Sequence, residues 1–215
     1  MLELHSYWRS SAAYRVRCAL NLKKLPYDIV PVHLVRDGGQ QHSSRYRALN
    51  PQGLVPTLVD DDFALTQSLA IFQYLEELHP TPALVPSDRR LRARQWAFCN
   101  AIACELQPMQ NLRVLNYLSG PLQLSEEQKA EWLRHWITEG MAALAKLLPA
   151  KEFAYSFADT PTYADCCLAP QAFACERFGI ALEAWPRLAA IVERLRALPE
   201  IAAAHPSVHP DALPN

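Results

Sequence analysis

The sequence predicts an α/β domain followed by an all-helical domain. Strand-like and helical patterns follow each other in the order β-α-β-α-β-β-α over residues 2–78. A proline-rich segment, 80–86, interrupts these patterns. After it no strand pattern returns, and only stretches with helical periodicity remain. We therefore expect a first domain at 1–81, a linker at 82–87 and a helical domain at 88–215.

Short apolar stretches predict the strands of the first domain. They cover residues 2–6, 27–34, 54–59 and 63–65. Pro31 has no N–H to donate, which favours an edge position for the second strand. Pro56 lies inside the third stretch and calls for an edge, a bulge, a turn or a cis bond.

Apolar residues at helical spacing predict the helices. In the first domain a helix starts at Ser11, a weak one covers 42–49, and another starts near Ser68 and stops before Pro80. In the second domain we expect a long helix kinked at Pro108, three further helices and an irregular tail. These cover residues 89–117, 125–148, 162–177, 185–198 and 205–215.

The helix near residue 162 starts with a capping signal. Thr162 and Asp165 have the spacing of a capping box, with Asp in place of the usual Glu or Gln. The hydroxyl would accept from a first-turn amide while the carboxylate reaches back to the cap amide. We therefore assign Asp165 a structural role in preference to a catalytic one.

Composition excludes several kinds of protein. The 215 residues carry a formal net charge of −1, so no global field favours nucleic acid or an anionic membrane. The six cysteines form no C-x-x-C pair, and apart from His205 and His209 no two of the seven histidines have a metal-binding spacing, so we expect reduced thiols and no metal. The N-terminus is unlike a signal peptide, and no apolar run is long enough to span a bilayer. We expect a cytoplasmic protein.

The segment before the first helix has the composition of an anion site. Ser10 and Ser11 stand where helix amides lack partners, with Arg9 and Arg15 nearby. A serine before a helix is also a common cap, so a purely structural role is the simpler alternative for one of them. For Arg15 and Arg17 the structural alternative is an exposed or dimer-facing helix surface, and for Arg17 a structural role is the expectation.

Motifs along the whole chain resemble the cytosolic glutathione transferases. Val55-Pro56 resembles the segment whose backbone binds the cysteinyl part of glutathione, and Gln67-Ser68 resembles the pair that holds the γ-glutamyl end. The box at Thr162 and Asp165 matches the family as well, and the resemblance extends from Leu2 to about Pro206. It implies a thioredoxin-like glutathione-binding domain, an all-α electrophile-binding domain and a homodimer.

Within that family the chain is similar to the zeta class. Ser10-Ser11 followed by Arg15-Val16-Arg17 resembles the class signature. Further class-like motifs are Asp37-Gly38-Gly39-Gln40-Gln41, Ala48-Leu49-Asn50-Pro51, Gln67-Ser68-Leu69-Ala70-Ile71, Gln107-Pro108-Met109-Gln110-Asn111-Leu112, and Ala169-Pro170-Gln171 with Glu176-Arg177-Phe178. One position departs: Ala12 stands where the signature has cysteine, which puts an accessory role of that cysteine in doubt.

The resemblance implies glutathione-dependent cis-trans isomerisation of maleylacetoacetate to fumarylacetoacetate, a step of aromatic amino acid breakdown. A helix N-terminus with a hydrogen-bond donor lowers a thiol pKa, and Ser10 is our choice for that donor. Ser11 is the second choice for this role, or a contact to glutathione. Arg15 would lie close to the thiol.

The remaining candidates would bind glutathione or the dicarboxylate substrate. Guanidinium groups bind carboxylates in a bidentate fork, which makes Arg9, Arg15 and Arg177 candidates for the substrate. The resemblance adds Arg113 to the substrate-binding residues. The resemblance assigns to glutathione Ser10, Gln41, Val55, Gln67, Ser68, Gln107 and Asn111. Val55 would contribute only its backbone, with its side chain packed. Tyr7, although tempting as a thiol ligand, is expected to pack.

Three alternatives stay open at this point. The first is a maleylpyruvate isomerase. The second is a broad glutathione transferase that conjugates small electrophiles or dehalogenates haloacids. The third is a non-catalytic binding protein with the same fold. Retention of Ser10 argues against the last of these, and Ala12 argues mildly for it.

Overall fold

The structure is a computed structural model that describes residues 1–209 and 211–212. It divides into two compact units. The first unit comprises Met1–Leu84 together with Ala197–Asn215, and the second comprises Val85–Arg196. The C-terminal segment is thus part of the same unit as the N-terminal segment. The domain limits of 1–81 and 88–215 remain a prediction.

A four-stranded sheet forms the centre of the first unit. The strands run in the order β2-β1-β3-β4, with β1 parallel to β2 and the other pairs antiparallel. Their bounds are β1 Leu2–Ser6, β2 Tyr27–Pro31, β3 Thr57–Asp60 and β4 Phe63–Thr66. The edge position of β2, predicted from its proline, is confirmed.

Two strands are shorter than the sequence pattern predicts. We predicted β2 through residue 34, but it ends at Pro31, and the next chain segment turns so that the His33 N–H bonds to Gln40 Oε1 at 2.9 Å. We predicted β3 from residue 54, but the Leu54 carbonyl accepts from the Tyr46 hydroxyl at 2.6 Å instead. The Val55–Pro56 bond that follows is cis, one of the predicted options.

Helices account for most of the remaining chain. Their bounds are α1 Ser11–Leu22, α2 Ser44–Leu49, α3 Ser68–Leu78, α4 Arg89–Asn100, α5 Gln107–Met109, α6 Leu112–Ser119, α7 Glu126–Leu147, α8 Tyr163–Arg177, α9 Pro186–Arg196 and α10 Pro199–Ala204. A π-helical segment, Ala101–Leu106, joins α4 to α5. The sequence pattern predicted no element at α10, although proline at a first helical turn was an available signal.

The core of the first unit forms where α1 packs against α3 and α10. The apolar stripes of the helices and one face of the sheet supply fully buried side chains, so water is excluded from this layer. They include Leu4, Val16, Leu20, Leu58, Ile71, Phe72 and Leu75. A smaller buried cluster consists of Tyr7, Val32, Tyr46 and Val55. The packing roles expected for Tyr7 and for the Val55 side chain are therefore present.

The second unit is built around α8, which packs against α4 and α9. Almost the whole of α8 is buried, including Asp165 and three of the cysteines. Asp165 Oδ2 accepts from the Thr162 N–H at 2.7 Å and from its hydroxyl at 2.9 Å. The carboxylate thus reaches back to the start of the helix, as the capping-box spacing predicted.

The prediction of one long helix over 89–117 was wrong. Pro108 does not end the helix, because the helical backbone continues from α4 through the π-helical segment into α5. The helix breaks at Asn111, whose backbone is extended and whose side chain accepts from the Arg113 N–H at 3.1 Å. Asn111 is therefore the N-cap that starts α6.

No helix in the described part of the chain combines the length and the apolar character needed to cross a membrane.

Candidate active site at one end of the sheet

The strand register brings the predicted site segments of the first unit to the same end of the sheet. Ser6 at the end of β1 pairs with Pro31 at the end of β2. Thr57, where β3 begins, pairs with both His5 and with Thr66, where β4 ends. The chain therefore leaves or enters each strand at this end, and the adjoining segments carry Ser10, Gln41, Val55, Gln67 and Ser68.

Ser10 is the N-cap of α1. Its backbone is extended, with φ −70° and ψ 117°, and its Oγ accepts from the Ala13 N–H at 3.2 Å. The capping role that we weighed as the structural alternative is therefore real. This cap is compatible with donation to a thiol, because a hydroxyl whose oxygen accepts one hydrogen bond still has its own hydrogen to donate. Ser11 follows as the first helical residue, and Ala12 comes next.

Arg15 is a buried charge whose hydrogen-bonding capacity is largely unused. Its side chain lies in the second turn of α1 and the residue is only 2% exposed. Among the described residues, its Nε and Nη1 have no hydrogen-bond partner. A buried guanidinium with unused donors is costly, and an anion that accepts from these donors would offset that cost. Long helical side chains also lean toward the helix N-terminus, which is where Ser10 lies.

Arg17, two residues further on, is equally buried but makes the hydrogen bonds that Arg15 lacks. Its Nε donates to Ala204 O, its Nη1 to Ser6 Oγ and its Nη2 to Trp8 O, each at 3.0 Å. Burial lowers the pKa of Arg17 to about 10. With its hydrogen bonds made to protein groups, Arg17 holds β1, the turn after it and α10 together. A structural role was expected for Arg17, but the expected exposed or dimer-facing surface was wrong, because the residue is completely buried.

Gln41 is placed by a tight turn. Gly39 has φ +97°, and a Cβ there would come within 2.6 Å of the Gln41 Nε2. Gln41 is buried, and its Nε2 lies 3.3 Å from Leu34 O and 3.1 Å from His42 Nε2. A ligand carboxylate at the Gln41 amide would therefore compete with His42 for one of the two Nε2 hydrogens.

The start of α3 is a second helix N-terminus at this end of the sheet. Gln67 is its N-cap but makes no side-chain capping bond, and its Nε2 donates to Gln52 Oε1 at 2.6 Å. Its backbone is held at φ 70°, a region that non-glycine residues rarely adopt and that is often found at functional sites. Ser68, the first helical residue, is buried. The uncapped amides suit a carboxylate.

Arg9 lies in the same turn as Ser10. Its guanidinium carbon is 5.4 Å from the centre of the Trp8 ring, which orients it by a cation–π contact. The residue is half-buried. It can therefore reach an anion without a large cost of desolvation.

The second unit carries four predicted site residues. Gln107 starts α5, and Asn111 is the cap of α6, so the side-chain oxygen of Asn111 already has a structural partner. Arg113 is exposed. Arg177, the last residue of α8, is exposed and its guanidinium carbon lies 4.3 Å from the centre of the Phe178 ring.

The α5–α6 junction and α8 are tied together within this unit. Gln110 Nε2 donates to Gln171 Oε1 at 2.9 Å, and both residues are buried. Gln110 was not among the predicted site residues, although it lies inside one of the motifs that suggested the family. Its role is to connect the segment of Gln107 and Asn111 to the helix that ends at Arg177.

A contact that sequence reasoning missed involves Asp211. Its Oδ2 accepts from the Trp8 N–H at 2.9 Å, across 203 residues of sequence. Neither residue belongs to a local pattern that could have signalled the pair.

A cavity of about 580 Å³ lies between the sheet and α2. His5, Val30, Arg45 and Tyr46 are among its lining residues, and none of the predicted site residues lines it. The candidate site is therefore distinct from this cavity. Among the described residues, no group of three or more His, Cys, Asp or Glu side chains could hold a metal ion.

Two family models match the chain. The model described as "Glutathione S-transferase, N-terminal domain" matches residues 4–83, and the one described as "Glutathione S-transferase, C-terminal domain" matches residues 114–204.

Relatives and solved structures agree with this. The maleylacetoacetate isomerase of Pseudomonas aeruginosa is 44% identical over 211 residues, covering 98% of both chains. A bacterial maleylpyruvate isomerase described as a zeta-class glutathione S-transferase superposes with a TM-score of 0.94 at 38% identity, covering 98% of this chain and 100% of that one. The maleylacetoacetate isomerase of Methylobacterium extorquens, solved with malonate and glutathione, gives 0.92 at 38% identity, covering 99% and 100%. The chain therefore belongs to the glutathione S-transferase family, in the zeta-class group of the maleylacetoacetate isomerases.

Proposed function

We propose that this protein isomerises maleylacetoacetate to fumarylacetoacetate with glutathione as its cofactor. When bound, glutathione supplies a thiolate that adds reversibly to the conjugated alkene, so that the bond becomes single, rotates and is restored as trans on elimination. The relatives named maleylacetoacetate isomerase support this reaction, and the glutathione bound to one of the similar structures supports the cofactor.

The proposed glutathione site runs along one end of the sheet. The uncapped start of α3 at Ser68 suits the γ-glutamyl carboxylate, with Gln67 beside it. Val55 would pair through its main chain with the cysteinyl part, and Gln41 would bind the glycyl end. Gln107 and Asn111 complete the proposed set by family resemblance.

Ser10 would hold the thiol in its ionised form. Its hydroxyl hydrogen is free to point away from the helix, because its oxygen already accepts from Ala13. The positive end of the α1 dipole acts in the same direction, so both effects lower the thiol pKa. Ser11 is the alternative donor.

The substrate carries two carboxylates and develops negative charge on a carbonyl oxygen during the reaction. We assign Arg9, Arg113 and Arg177 to the carboxylates and Arg15 to the charge that forms near the thiol. The observation that carries this proposal is the buried guanidinium of Arg15, two of whose nitrogens have no partner among the described residues. A group of this kind stabilises a transient anion without reorganisation.

Maleylpyruvate isomerisation is the second candidate. The similarity to the maleylpyruvate isomerase structure, at a TM-score of 0.94, favours it specifically. The reaction is the same, and the two substrates differ in the group attached to the conjugated carbonyl. Rates with maleylacetoacetate, maleylpyruvate and a haloacid rank the candidates, and a preference above about tenfold (~1.4 kcal/mol) for the haloacid would contradict the proposal. Absence of turnover with all three would favour a binding protein.

Two properties rest on the family resemblance. We propose a homodimer in the cytoplasm. Light scattering of the purified protein would test the dimer, and a monomer at micromolar concentration would contradict it.

Arg15→Met, with Arg17→Met as its matched control, tests the role of Arg15. The Arg15 variant should lose about 100-fold or more in kcat, because one preorganised donor to a developing anion is removed. Its free energy of unfolding should stay equal or rise, since a buried unpaired charge is replaced by an apolar group.

Arg17→Met should differ from Arg15→Met in its effect on stability. It leaves Ser6, Trp8 and Ala204 without their donor, and the free energy of unfolding should fall by about 3 kcal/mol. Urea denaturation and steady-state kinetics on both variants provide the measurement. An Arg15→Met variant that is fully active would overturn the assignment of Arg15.

A further inference from the structure

The main chain of Trp8 is held from both sides by charged side chains. Its N–H donates to Asp211 Oδ2 at 2.9 Å, and its C=O accepts from Arg17 Nη2 at 3.0 Å. Trp8 lies two residues before Ser10, in the turn that connects β1 to α1. Both hydrogen bonds involve an ionised group, which makes them stronger than bonds between neutral groups.

Both of these charged groups connect the turn to the C-terminal segment. Asp211 belongs to that segment, and Arg17 also donates to the carbonyl of Ala204 at the end of α10. Asn21 adds a third tie, from its Nδ2 to the Glu200 carbonyl at 2.8 Å. The residues after α9 thus contact the turn before α1 through Asp211, and α1 itself through Arg17 and Asn21.

A displacement of Trp8 would pass directly to Ser10. The Ser10 N–H donates to the Tyr7 carbonyl at 3.0 Å, so residues 7–10 form one closed turn. Without Asp211, the partly buried Trp8 N–H would lose its acceptor, and the turn would have to move to find another. Catalytic groups tolerate little movement, since a misplacement of about 1 Å can cost about 100-fold in rate.

We propose that Asp211 is a positioning residue for the reaction: its carboxylate fixes the Trp8 amide and thereby holds the Ser10 hydroxyl in the orientation in which it donates to the thiol. This inference rests on the proposed function of Ser10. Asp211 itself does not touch the reacting atoms. Arg17 is close enough to interact electrostatically with its negative charge.

The test compares Asp211→Ala with Asp211→Asn in the full-length protein. Asparagine keeps an acceptor oxygen for the Trp8 N–H, whereas alanine removes it. The readouts are the pKa of the thiol of bound glutathione, from the ultraviolet absorbance of the thiolate, and kcat and KM with maleylacetoacetate. Asp61→Ala is the control, because the Asp61 carboxylate binds only the exposed N-terminal ammonium among the contacts found for it.

In Asp211→Ala we expect the bound thiol pKa to move toward that of free glutathione and kcat to fall about tenfold, with little change in KM. Asp211→Asn should retain kcat within about threefold (~0.7 kcal/mol), and Asp61→Ala should match the wild type. A merely structural role would lower stability and leave the thiol pKa of the folded variant unchanged, and that result would overturn the proposal.

Further outcomes separate this proposal from the proposed function. Equal losses in Asp211→Ala and Asp211→Asn would overturn the hydrogen-bond role. If Asp211→Ala does not fold, Asp211→Asn alone tests the proposal. A thiol pKa of glutathione bound to this variant close to the wild-type value supports the proposal, and a value close to that of free glutathione overturns it. A wild-type protein that lowers the thiol pKa without isomerising any substrate refutes the proposed function alone. A wild-type protein that does not lower it refutes both.

Discussion

Ser10 combines two functions that are usually considered as alternatives. It caps α1 through its oxygen and keeps a hydrogen for the thiol. Capping holds the side chain in one orientation, which is what a donor to a thiolate requires. The structural and the catalytic interpretation therefore support each other at this residue.

Ser10→Ala should reduce both stability and activity. We expect a loss of about 1 kcal/mol from the missing cap and a fall of about 100-fold in kcat from the missing donor. Ser125→Ala is a matched control, since Ser125 caps α7 with the same 3.2 Å distance to an amide. It should lower stability by a similar amount and leave kcat unchanged. If Ser10→Ala retained wild-type kcat and bound thiol pKa, Ser11 would become the candidate donor.

The two arginines of the Arg-Val-Arg motif illustrate the limit of sequence reasoning at this scale. The sequence placed both on α1 and led us to expect that Arg17 would be structural. It contained nothing that shows Arg15 to be buried with unused donors. Burial and pairing depend on which distant segments cover each side chain, and for Arg17 those include Ala204.

At the scale of single elements, local chemistry was a reliable guide where a capping residue was present. The starts of α1, α7 and α8 follow serine or threonine caps and lie within one residue of the starts that the sequence predicted. The sequence pattern predicted a kink at Pro108 and no break between α5 and α6. The break lies at Asn111, which is the N-cap of α6. Asparagine is a common N-cap, so the signal was available.

Asp165→Asn should destabilise the second unit by about 3 kcal/mol. The carboxylate accepts from the N–H and hydroxyl of both Ser156 and Thr162, and an amide would place an NH₂ group against these donors. Asp159→Asn is the control, because that exposed carboxylate accepts from only the Ala154 N–H among the contacts found for it. Its effect should stay below about 1 kcal/mol. Equal urea midpoints for the two variants would contradict this prediction.

At the scale of the whole molecule, the C-terminal segment belongs to the same unit as the N-terminal one. The tail predicted as irregular from residue 205 contains buried Pro206 and His209, packed in that unit. His209 lies near Arg17, Asp211 and His205, and its pKa is lowered to about 4, first by burial and then by the Arg17 charge.

This shift predicts a specific loss of stability in mild acid. The folded-state pKa of His209 lies below the ordinary value of 6.5, so the unfolded chain binds the proton more tightly. The contribution of neutral His209 is complete above pH 6.5 and is lost as the pH falls toward about 4. Between pH 7 and pH 5, this residue should account for a loss of about 2 kcal/mol.

His209→Gln should remove that part of the pH dependence, as measured by urea denaturation at both pH values. The exposed His135, changed to Gln, serves as the control and should leave the pH dependence as it is in the wild type. If the wild type and His209→Gln lost stability equally between the two pH values, the burial of His209 would not be linked to its protonation.

The sequence by itself determined the order of elements, most helix starts, the edge strand and the motifs that point to glutathione chemistry. These depend on backbone preferences, periodicity and spacing, which are properties of neighbouring residues. Only the tertiary structure decided that Arg15 is left with unused donors, that Arg17 is saturated, and that Asp211 holds the turn before Ser10. Each of these depends on segments far apart in the chain coming into contact, and no local pattern encodes such a contact.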